Sequence, residues 1–294
     1  MDGILNINKP SGRTSYSIVA MVKRLSGERR VGHAGTLDPD ATGVLPVCLG
    51  RATRVIEFLT DAAKAYRAEI ELGVATDTYD SSGKIIQRKD FSGVNREHLE
   101  MALASFRGPI QQMPPMYSAL KYKGKPLYEL ARVGIQVERK ARPVKIYNLE
   151  IIDWQPPLVT LEVVCSKGTY IRSLAHDLGQ SLGCGASLKS LTRLRCGVFD
   201  IKDATSIAQL EDAFHHGYWR HFVYPPDTVL LHWAAMIVGD RTSGLIKNGR
   251  NVDYLAPNPP VESRCRAYTS EGRFLGVLHF DSESRQWQPR KVLL

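Results

Sequence analysis

The sequence predicts an α+β chain with a second, β-rich unit at its C-terminal end. Two observations carry this. Up to about residue 224, segments whose apolar residues alternate with period two are interleaved with segments at helical spacing. Beyond the proline pair Pro225-Pro226 the chain changes to short strand candidates and turns such as Lys247-Asn248-Gly249-Arg250 and Ser270-Glu271-Gly272. The expected units are therefore 1–225 and 227–294, the second a small β-barrel.

In chain order, Gly3 to Asn8 reads as a short strand ended by Lys9-Pro10. Ser15 to Leu25 places Ile18, Val19, Val22 and Leu25 at helical spacing behind Ser/Thr capping residues. Gly32 to Gly43 is an irregular turn, because glycine tolerates backbone angles other residues avoid and Pro39 forces Asp38 out of helical geometry. Such a loop can hold one carboxylate in a fixed pose, and His33, Asp38 and Asp40 are its candidate chemical groups. Val44 to Gly50 reads as a buried strand, Thr53 to Leu59 as a short helix, and Tyr66 to Leu72 as an alternating strand.

Asn95 to Phe106 is helical and stops before Arg107-Gly108-Pro109. Met113 to Arg142 then changes character, with Lys121, Lys123, Lys125, Arg132, Arg139, Lys140 and Arg142 among prolines and tyrosines. By itself this is either a solvated linker or an RNA-gripping insertion, and basic runs usually face water. Val144 to Ile152 and Leu158 to Cys165 alternate as strands. Tyr170 to Leu182 reads as a helix opened by Gly168-Thr169 and closed by Gly183, which delivers Arg172 to a helix start.

Composition narrows the function classes. With 294 residues, 43% hydrophobic and 23% charged, the chain can bury a sizeable core. The net charge of +9 favours polyanionic partners through phosphate neutralisation, and says nothing about fold. The five cysteines are scattered, with no Cys-x-x-Cys pair and no histidine at zinc-ligand spacing, so neither a disulfide framework nor a metal site is expected. No leader pattern and no run of ~20 apolar residues is present, so a cytoplasmic location without membrane contact is the expectation. No phosphate-binding glycine loop or dinucleotide fingerprint is present either, and no cofactor is expected.

Five segments carry a family resemblance. Asn8-Lys9-Pro10-Ser11-Gly12-Arg13-Thr14-Ser15, the loop Gly32 to Gly43, Lys64-Ala65-Tyr66-Arg67, Ser166-Lys167-Gly168-Thr169-Tyr170-Ile171-Arg172, and Gly183-Cys184-Gly185-Ala186 followed by Leu191-Thr192-Arg193 together resemble the TruB family of tRNA pseudouridine synthases. The resemblance runs from about Gly3 to the C-terminus and is strongest before Arg195. It implies a mixed-sheet catalytic domain over 1–225, an insertion at 113–142 that closes over the tRNA T-arm through residues including Lys121, Lys123 and Lys125, and a PUA-like RNA-binding domain over 227–294. It also implies a monomer that isomerises a flipped T-loop uridine to pseudouridine with no cofactor and no obligatory protein partner.

The same resemblance assigns roles residue by residue. Asp38 is the catalytic carboxylate, acting as nucleophile on the sugar or as the base that starts glycal formation. Arg172 pairs with it. Tyr66 stacks on the target base and assists proton transfer at C5, His33 helps hold the opened T-loop, and Tyr170 and Leu191 line the uracil pocket. Lys9 and Pro10 buttress the loop. Asp40 stands where the family commonly has an apolar residue, so a paired-carboxylate glycosidase built on Asp38 and Asp40 is not supported. Read without the family, Arg172 is an exposed arginine, and Tyr66, Tyr170 and Leu191 are packing residues. Two other functions stay open at this point: a tRNA-folding chaperone with dispensable catalysis, and a guide-RNA-dependent enzyme of the box H/ACA type. The long basic insertion favours the stand-alone type over the latter.

Overall fold

The computed structural model describes residues 1–118, 120–253 and 262–293. Residue 119 of the expected insertion, and residues 254–261 and 294 of the expected second unit, lie outside the described residues. The chain opens with β1 (Gly3–Lys9), then α1 (Ser15–Ser26), β2 (Val31–His33) and β3 (Thr42–Leu49). Helix α1 starts where Thr14 accepts a hydrogen bond from the Ser17 amide, and stops at Gly27, whose φ of 69° is left-handed. The helix expected over Thr53 to Leu59 is displaced: a 3-10 turn over Gly50–Val55 leads into α2 (Ile56–Asp61). The cause lies downstream, because the buried Lys64 ammonium donates to the carbonyls of Leu59 (3.1 Å), Thr60 and Ala62 (2.7 Å) and so fixes where α2 ends.

Next come β4 (Lys64–Leu72), β5 (Val74–Thr76), β6 (Ile85–Arg88), α3 (Arg96–Ala104) and β7 (Gly108–Gln112). The basic segment folds as a small hairpin, β8 (Lys121–Tyr122) and β9 (Lys125–Pro126), followed by α4 (Leu127–Arg132). Lys123 and Gly124 at its tip both have positive φ, 48° and 85°, the pattern of a tight two-residue hairpin turn. Strand β10 (Arg142–Gln155) is longer than expected and turns through Pro156-Pro157 into β11 (Leu158–Cys165). Then follow α5 (Ile171–Ser181), β12 (Ala186–Cys196), three two-residue strands β13 (Phe199–Asp200), β14 (Thr205–Ser206) and β15 (Val223–Tyr224), and α6 (Ile207–His215) between the last two.

These strands form one mixed sheet in the order β14-β1-β3-β12-β4-β11-β10-β7, with β2, β13 and β15 pairing at its sides. The pairings β1 to β14 and β3 to β12 are parallel, and β12 to β4 to β11 to β10 to β7 run antiparallel. Period-two alternation explains which face is buried: Ala68, Ile70 and Leu72 of β4 pack with Leu161 and Val163 of β11 against Leu174 and Leu178 of α5, while Arg67 is exposed. A second cluster packs Ile18 and Val22 of α1 and Leu210 of α6 onto Ile7, Leu45 and Val47.

After a 3-10 turn over Pro226–Leu230 come β16 (Ala234–Val238), α7 (Asp240–Lys247), β17 (Val252–Asp253), β18 (Arg264–Thr269), β19 (Phe274–Asp281) and β20 (Gln286–Val292). These strands form a five-stranded half-barrel in the order β16-β18-β19-β20-β17. The two sheets share a core: Val229, Leu230, Val277 and Leu293 are buried in one cluster with Ile4, Val44 and Cys48. Lys291 pairs with Glu57 at 2.6 Å across the same junction. No helix among the described residues is long and apolar enough to cross a membrane.

Candidate active site

The loop between β2 and β3 is tied down from both sides. The Lys9 ammonium, fully buried at the end of β1, donates to the carbonyls of Pro10 (2.8 Å), Arg13 (2.6 Å) and Pro39 (2.8 Å). Ser15 at the start of α1 accepts from the Leu37 amide (2.9 Å) and donates to the Leu37 carbonyl (3.1 Å). At the far end of the loop Gly43 runs so close to β12 that a Cβ would stand 2.2 Å from the Arg193 carbonyl oxygen. With a φ of 98° there as well, no other residue fits. Asp38 is thus held between three anchors, none of which touches its carboxylate.

That carboxylate meets Arg172 from the first turn of α5, across 134 residues of chain. Arg172 Nε lies 3.0 Å from Asp38 Oδ2 and Nη2 donates to Oδ1 at 3.2 Å, a two-pronged contact. The guanidinium also donates through Nη1 to Asp80 Oδ2 (3.4 Å) and through Nη2 to the Tyr117 carbonyl (2.8 Å). Burial pushes the Asp38 pKa up from the ordinary carboxylate value; Arg172 and Lys9 pull it back, while Asp80 and Asp40 add to the rise. The Arg172 side chain is 9% exposed and that of Asp38 44%. Asp38 is therefore surrounded by protein mass that desolvates it, yet its side chain stays open to solvent. Lys9 is pushed down to about 8 by its own burial, partly restored by Asp40 and Asp38.

A second group gathers on the neighbouring strands. Tyr66 of β4 lies directly opposite Arg193 of β12 and packs with Leu191 in both main core clusters. Arg193 is buried, donating from Nε to the Val44 carbonyl (2.6 Å) and from Nη2 to the Gly35 carbonyl (3.1 Å). No carboxylate pairs with it among the described residues. Burial pushes the Tyr66 hydroxyl up to about 12, and the nearby Arg193 guanidinium opposes the rise. His33, half-buried on β2, has its pKa lowered by burial and by Arg193, with the Gly35 backbone acting the other way. The shift favours the neutral imidazole.

Tyr170 caps α5. Its amide donates to Gln112 Oε1 (2.7 Å) and its carbonyl accepts from Gln112 Nε2 (2.9 Å), which fixes the helix start beside β7. Burial raises its pKa, while Ser118, Arg172 and Arg142 lower it. Asp38 also raises it, which puts the phenol within the electrostatic reach of the carboxylate. Asp38 and Arg172 are thus in direct contact with Tyr170 within electrostatic reach, while Tyr66 and Leu191 pack against the cluster that contains Leu37, the residue before Asp38. Lys121, Lys123 and Lys125 are all exposed on the β8–β9 hairpin and touch none of these residues. The root of that segment does reach the site, through Tyr117 on Arg172 and through the Met113 carbonyl, which accepts from Ser173 at 2.8 Å.

Two contributors carried no assigned role in the sequence. Asp80, between β5 and β6, shares Arg172 with Asp38; its signal was the turn-forming run Thr76-Asp77-Thr78-Tyr79-Asp80-Ser81-Ser82-Gly83. Arg193 stands inside the Leu191-Thr192-Arg193 motif, of which only Leu191 was given a role.

Residues 23–171 match the model for the TruB family pseudouridylate synthase N-terminal domain, and residues 172–231 that for the tRNA pseudouridylate synthase B C-terminal domain. The junction of the two matches falls inside α5, between Ile171 and Arg172. The chain is 45% identical over 294 residues to tRNA pseudouridine synthase B of Dehalococcoides mccartyi (strain CBDB1), covering 100% of this chain and 97% of that one. To the protein of the same name from Pseudomonas aeruginosa (strain UCBPP-PA14) it is 41% identical over 296 residues, covering 100% and 96%. To that from Symbiobacterium thermophilum it is 51% identical over 252 residues, covering 85% and 82%. Among solved structures it is similar to a chain in the crystal structure of a Cbf5-Nop10-Gar1 complex, with a TM-score of 0.75 and 25% identity, covering 99% of this chain and 85% of that one.

Proposed function

The chain belongs to the TruB family of pseudouridylate synthases and is a tRNA pseudouridine synthase, and on that premise we propose that it acts on the T-loop uridine, with Asp38 as the reacting group. The observation that carries the assignment is the two-pronged Arg172 contact on Asp38, at 3.0 and 3.2 Å. In the isomerisation the bond from C1′ to N1 breaks, the base turns, and a bond from C1′ to C5 forms. C5 loses a proton and N1 gains one, so no electrons and no energy source are needed. Both routes to the break, attack on C1′ and proton removal from the ribose, use an ionised carboxylate. Arg172 favours that form and fixes its direction.

The other roles follow from the environments. Tyr66 presents a ring for stacking, with Leu191 packed in the same clusters. A hydroxyl pKa of about 12 makes its deprotonation at pH 7 cost about 7 kcal/mol, so Tyr66 works as a phenol in the free enzyme. His33 handles the opened T-loop as a neutral ring, and Tyr170 closes the uracil pocket beside Arg172. Lys9 and Pro10 hold the loop. A T-loop uridine must leave its stack to reach Asp38, at about a few kcal/mol. The exposed lysines of the β8–β9 hairpin offset that cost by gripping T-arm phosphates, and the half-barrel of the 227–294 unit adds RNA surface further away.

We read the protein as a cytoplasmic monomer that needs no protein partner. Identity of 41–51% to tRNA pseudouridine synthase B proteins, against 25% to the Cbf5-containing structure, supports this over the guide-dependent alternative. Incubating the purified chain with unmodified tRNA, without cofactor, and mapping pseudouridine by chemical labelling tests the proposal. Modification of the T-loop uridine is expected; an unmodified T-loop, or label elsewhere, would refute it.

A further inference from the structure

Asp80 faces Arg172 from a loop that is strained at the preceding residue. Tyr79 has a φ of 67°, a left-handed conformation that a side chain with a Cβ rarely adopts unless its surroundings hold it there. Two kinds of contact do so. The Tyr79 carbonyl accepts from the Leu188 amide (3.0 Å) while the Ser81 amide donates to the Leu188 carbonyl (2.9 Å). The Tyr79 ring lies on the imidazole of His176, centroid to centroid 3.9 Å with 14° between the planes.

His176 stands four residues after Arg172 on α5, one helical turn further along the same face. Two residues one turn apart on a single helix thus grip two consecutive loop residues: Arg172 takes the Asp80 carboxylate and His176 takes the Tyr79 ring. Within the loop, Asp80 Oδ1 is already saturated by Thr78 Oγ1 (2.7 Å), the Ser82 amide (3.0 Å) and Ser82 Oγ (2.5 Å). Its Oδ2 is left to meet Arg172. Which way Oδ2 points depends on the backbone at Tyr79.

We propose that the Tyr79–His176 stack is a positioning clamp: it holds the Tyr79 backbone in its left-handed turn, so that Asp80 braces the far side of Arg172 and keeps the guanidinium fork square on Asp38. The inference rests on the proposed roles of Asp38 and Arg172 in the reaction. Neither ring touches the reacting atoms; both act through Asp80.

The test uses the full chain, unmodified tRNA and single-turnover rates. Modification by the wild-type protein tests the underlying reading separately from the clamp. His176→Ala should lower the saturating rate about tenfold with the half-saturating tRNA concentration within about twofold, the signature of a group that acts on the reacting geometry rather than on binding. Tyr79→Ala, which deletes the ring and keeps the strained turn, should lose a similar factor, whereas Tyr79→Gly, which adopts that turn without strain, should lose less. His176→Phe and Tyr79→Phe keep two stacked rings and should return to within about threefold of wild type. In an Asp80→Asn background, His176→Ala should cost less than about twofold more, because the clamp then has nothing to aim. The same tenfold loss in that background would overturn the proposal, as would a loss confined to tRNA affinity, which would mean the rings touch RNA. A folded His176→Phe variant as slow as His176→Ala would do so too.

Discussion

Replacing Arg172 with lysine keeps the charge and removes the fork, and it bears most directly on how the site works. Arg172 makes four charge-assisted contacts, an ion pair and a hydrogen bond to Asp38, one hydrogen bond to Asp80 and one to the Tyr117 carbonyl, and a lysine ammonium at the same place can reach about half of these. A hydrogen bond to a charged group contributes about 1.5–3 kcal/mol. Asp38 keeps 44% of its side chain in solvent, so the lower end applies to each of the two contacts that lysine cannot make. Their sum, about 3 kcal/mol, corresponds to a rate loss on the order of a hundredfold. A second consequence concerns pH. Burial already raises the Asp38 pKa and Arg172 opposes that rise, so a weaker partner lets it climb further. The active form is the carboxylate, so the rate falls as pH drops through that raised pKa, and the acid limb of Arg172→Lys should lie above that of the wild type. Release of tritium from C5-labelled uridine in tRNA, followed in single turnovers from pH 5 to 8, reads both effects. A rate within about threefold of wild type with an unmoved acid limb would refute the reasoning.

Asp38→Asn should abolish pseudouridine formation while tRNA binding stays within about tenfold, since an amide is isosteric but neither nucleophilic nor basic; wild-type-like turnover would remove Asp38 from the chemistry. Changing Lys121, Lys123 and Lys125 together to alanine should raise the half-saturating tRNA concentration and flatten the salt dependence of binding by up to about one unit of slope per phosphate no longer held, with little change in maximal rate. An unaltered slope would return the hairpin to a merely solvated role. Lys9→Met strands three carbonyls but relieves the cost of a buried charge, and should destabilise the fold by about 1–4 kcal/mol in denaturant titrations. Deleting residues 227–294 removes Val229, Leu230, Val277 and Leu293 from a core shared with Ile4 and Val44, so the shortened chain should lose its cooperative unfolding transition rather than lose only tRNA affinity. A sharp melt close to that of the full chain would contradict the shared core.

Much of the site was legible in the sequence because local chemistry writes it. Within the run Gly32 to Gly43 the middle, from Ala34 to Ala41, is the irregular loop its residues demand, although β2 and β3 take the ends of the run, and the alternation from Tyr66 to Leu72 had to be a strand with Tyr66 on the buried face, whatever lay elsewhere. What was illegible depends on distant residues. Lys9 is fully buried only because the Pro39 carbonyl arrives 30 positions later; a lysine at a strand end ordinarily reads as exposed. The end of α2 lies at Asp61 rather than Leu59 because Lys64, beyond it, sets the last turn. Asp80 lay in a recognisable turn, but nothing local could show that one of its oxygens faces an arginine 92 residues away. Arg193 was hidden by register: shifts between Leu188 and Ser190 and between Arg193 and Arg195 decide which residue of β12 stands across from Tyr66, and alternation alone does not locate them.

The buried cations explain how a basic protein can keep one carboxylate reactive beside a polyanionic substrate. Lys9, Arg172 and Arg193 are each almost fully buried, and each is held by protein oxygens: three carbonyls for Lys9, which use all its donors, two carbonyls for Arg193, two carboxylates and a carbonyl for Arg172. Burial removes all three from the surface, so these charges act on Asp38 and on the loop rather than on an RNA phosphate. The lysines of the β8–β9 hairpin are the reverse, exposed and remote from Asp38, so screening by salt weakens them and leaves the Arg172–Asp38 pair nearly untouched. Raising ionic strength should therefore lower affinity for tRNA steeply while the single-turnover rate at saturating tRNA stays within about twofold. A saturated rate that falls in step with affinity would mean that the two sets of charges are coupled through the segment joining Tyr117 to the hairpin.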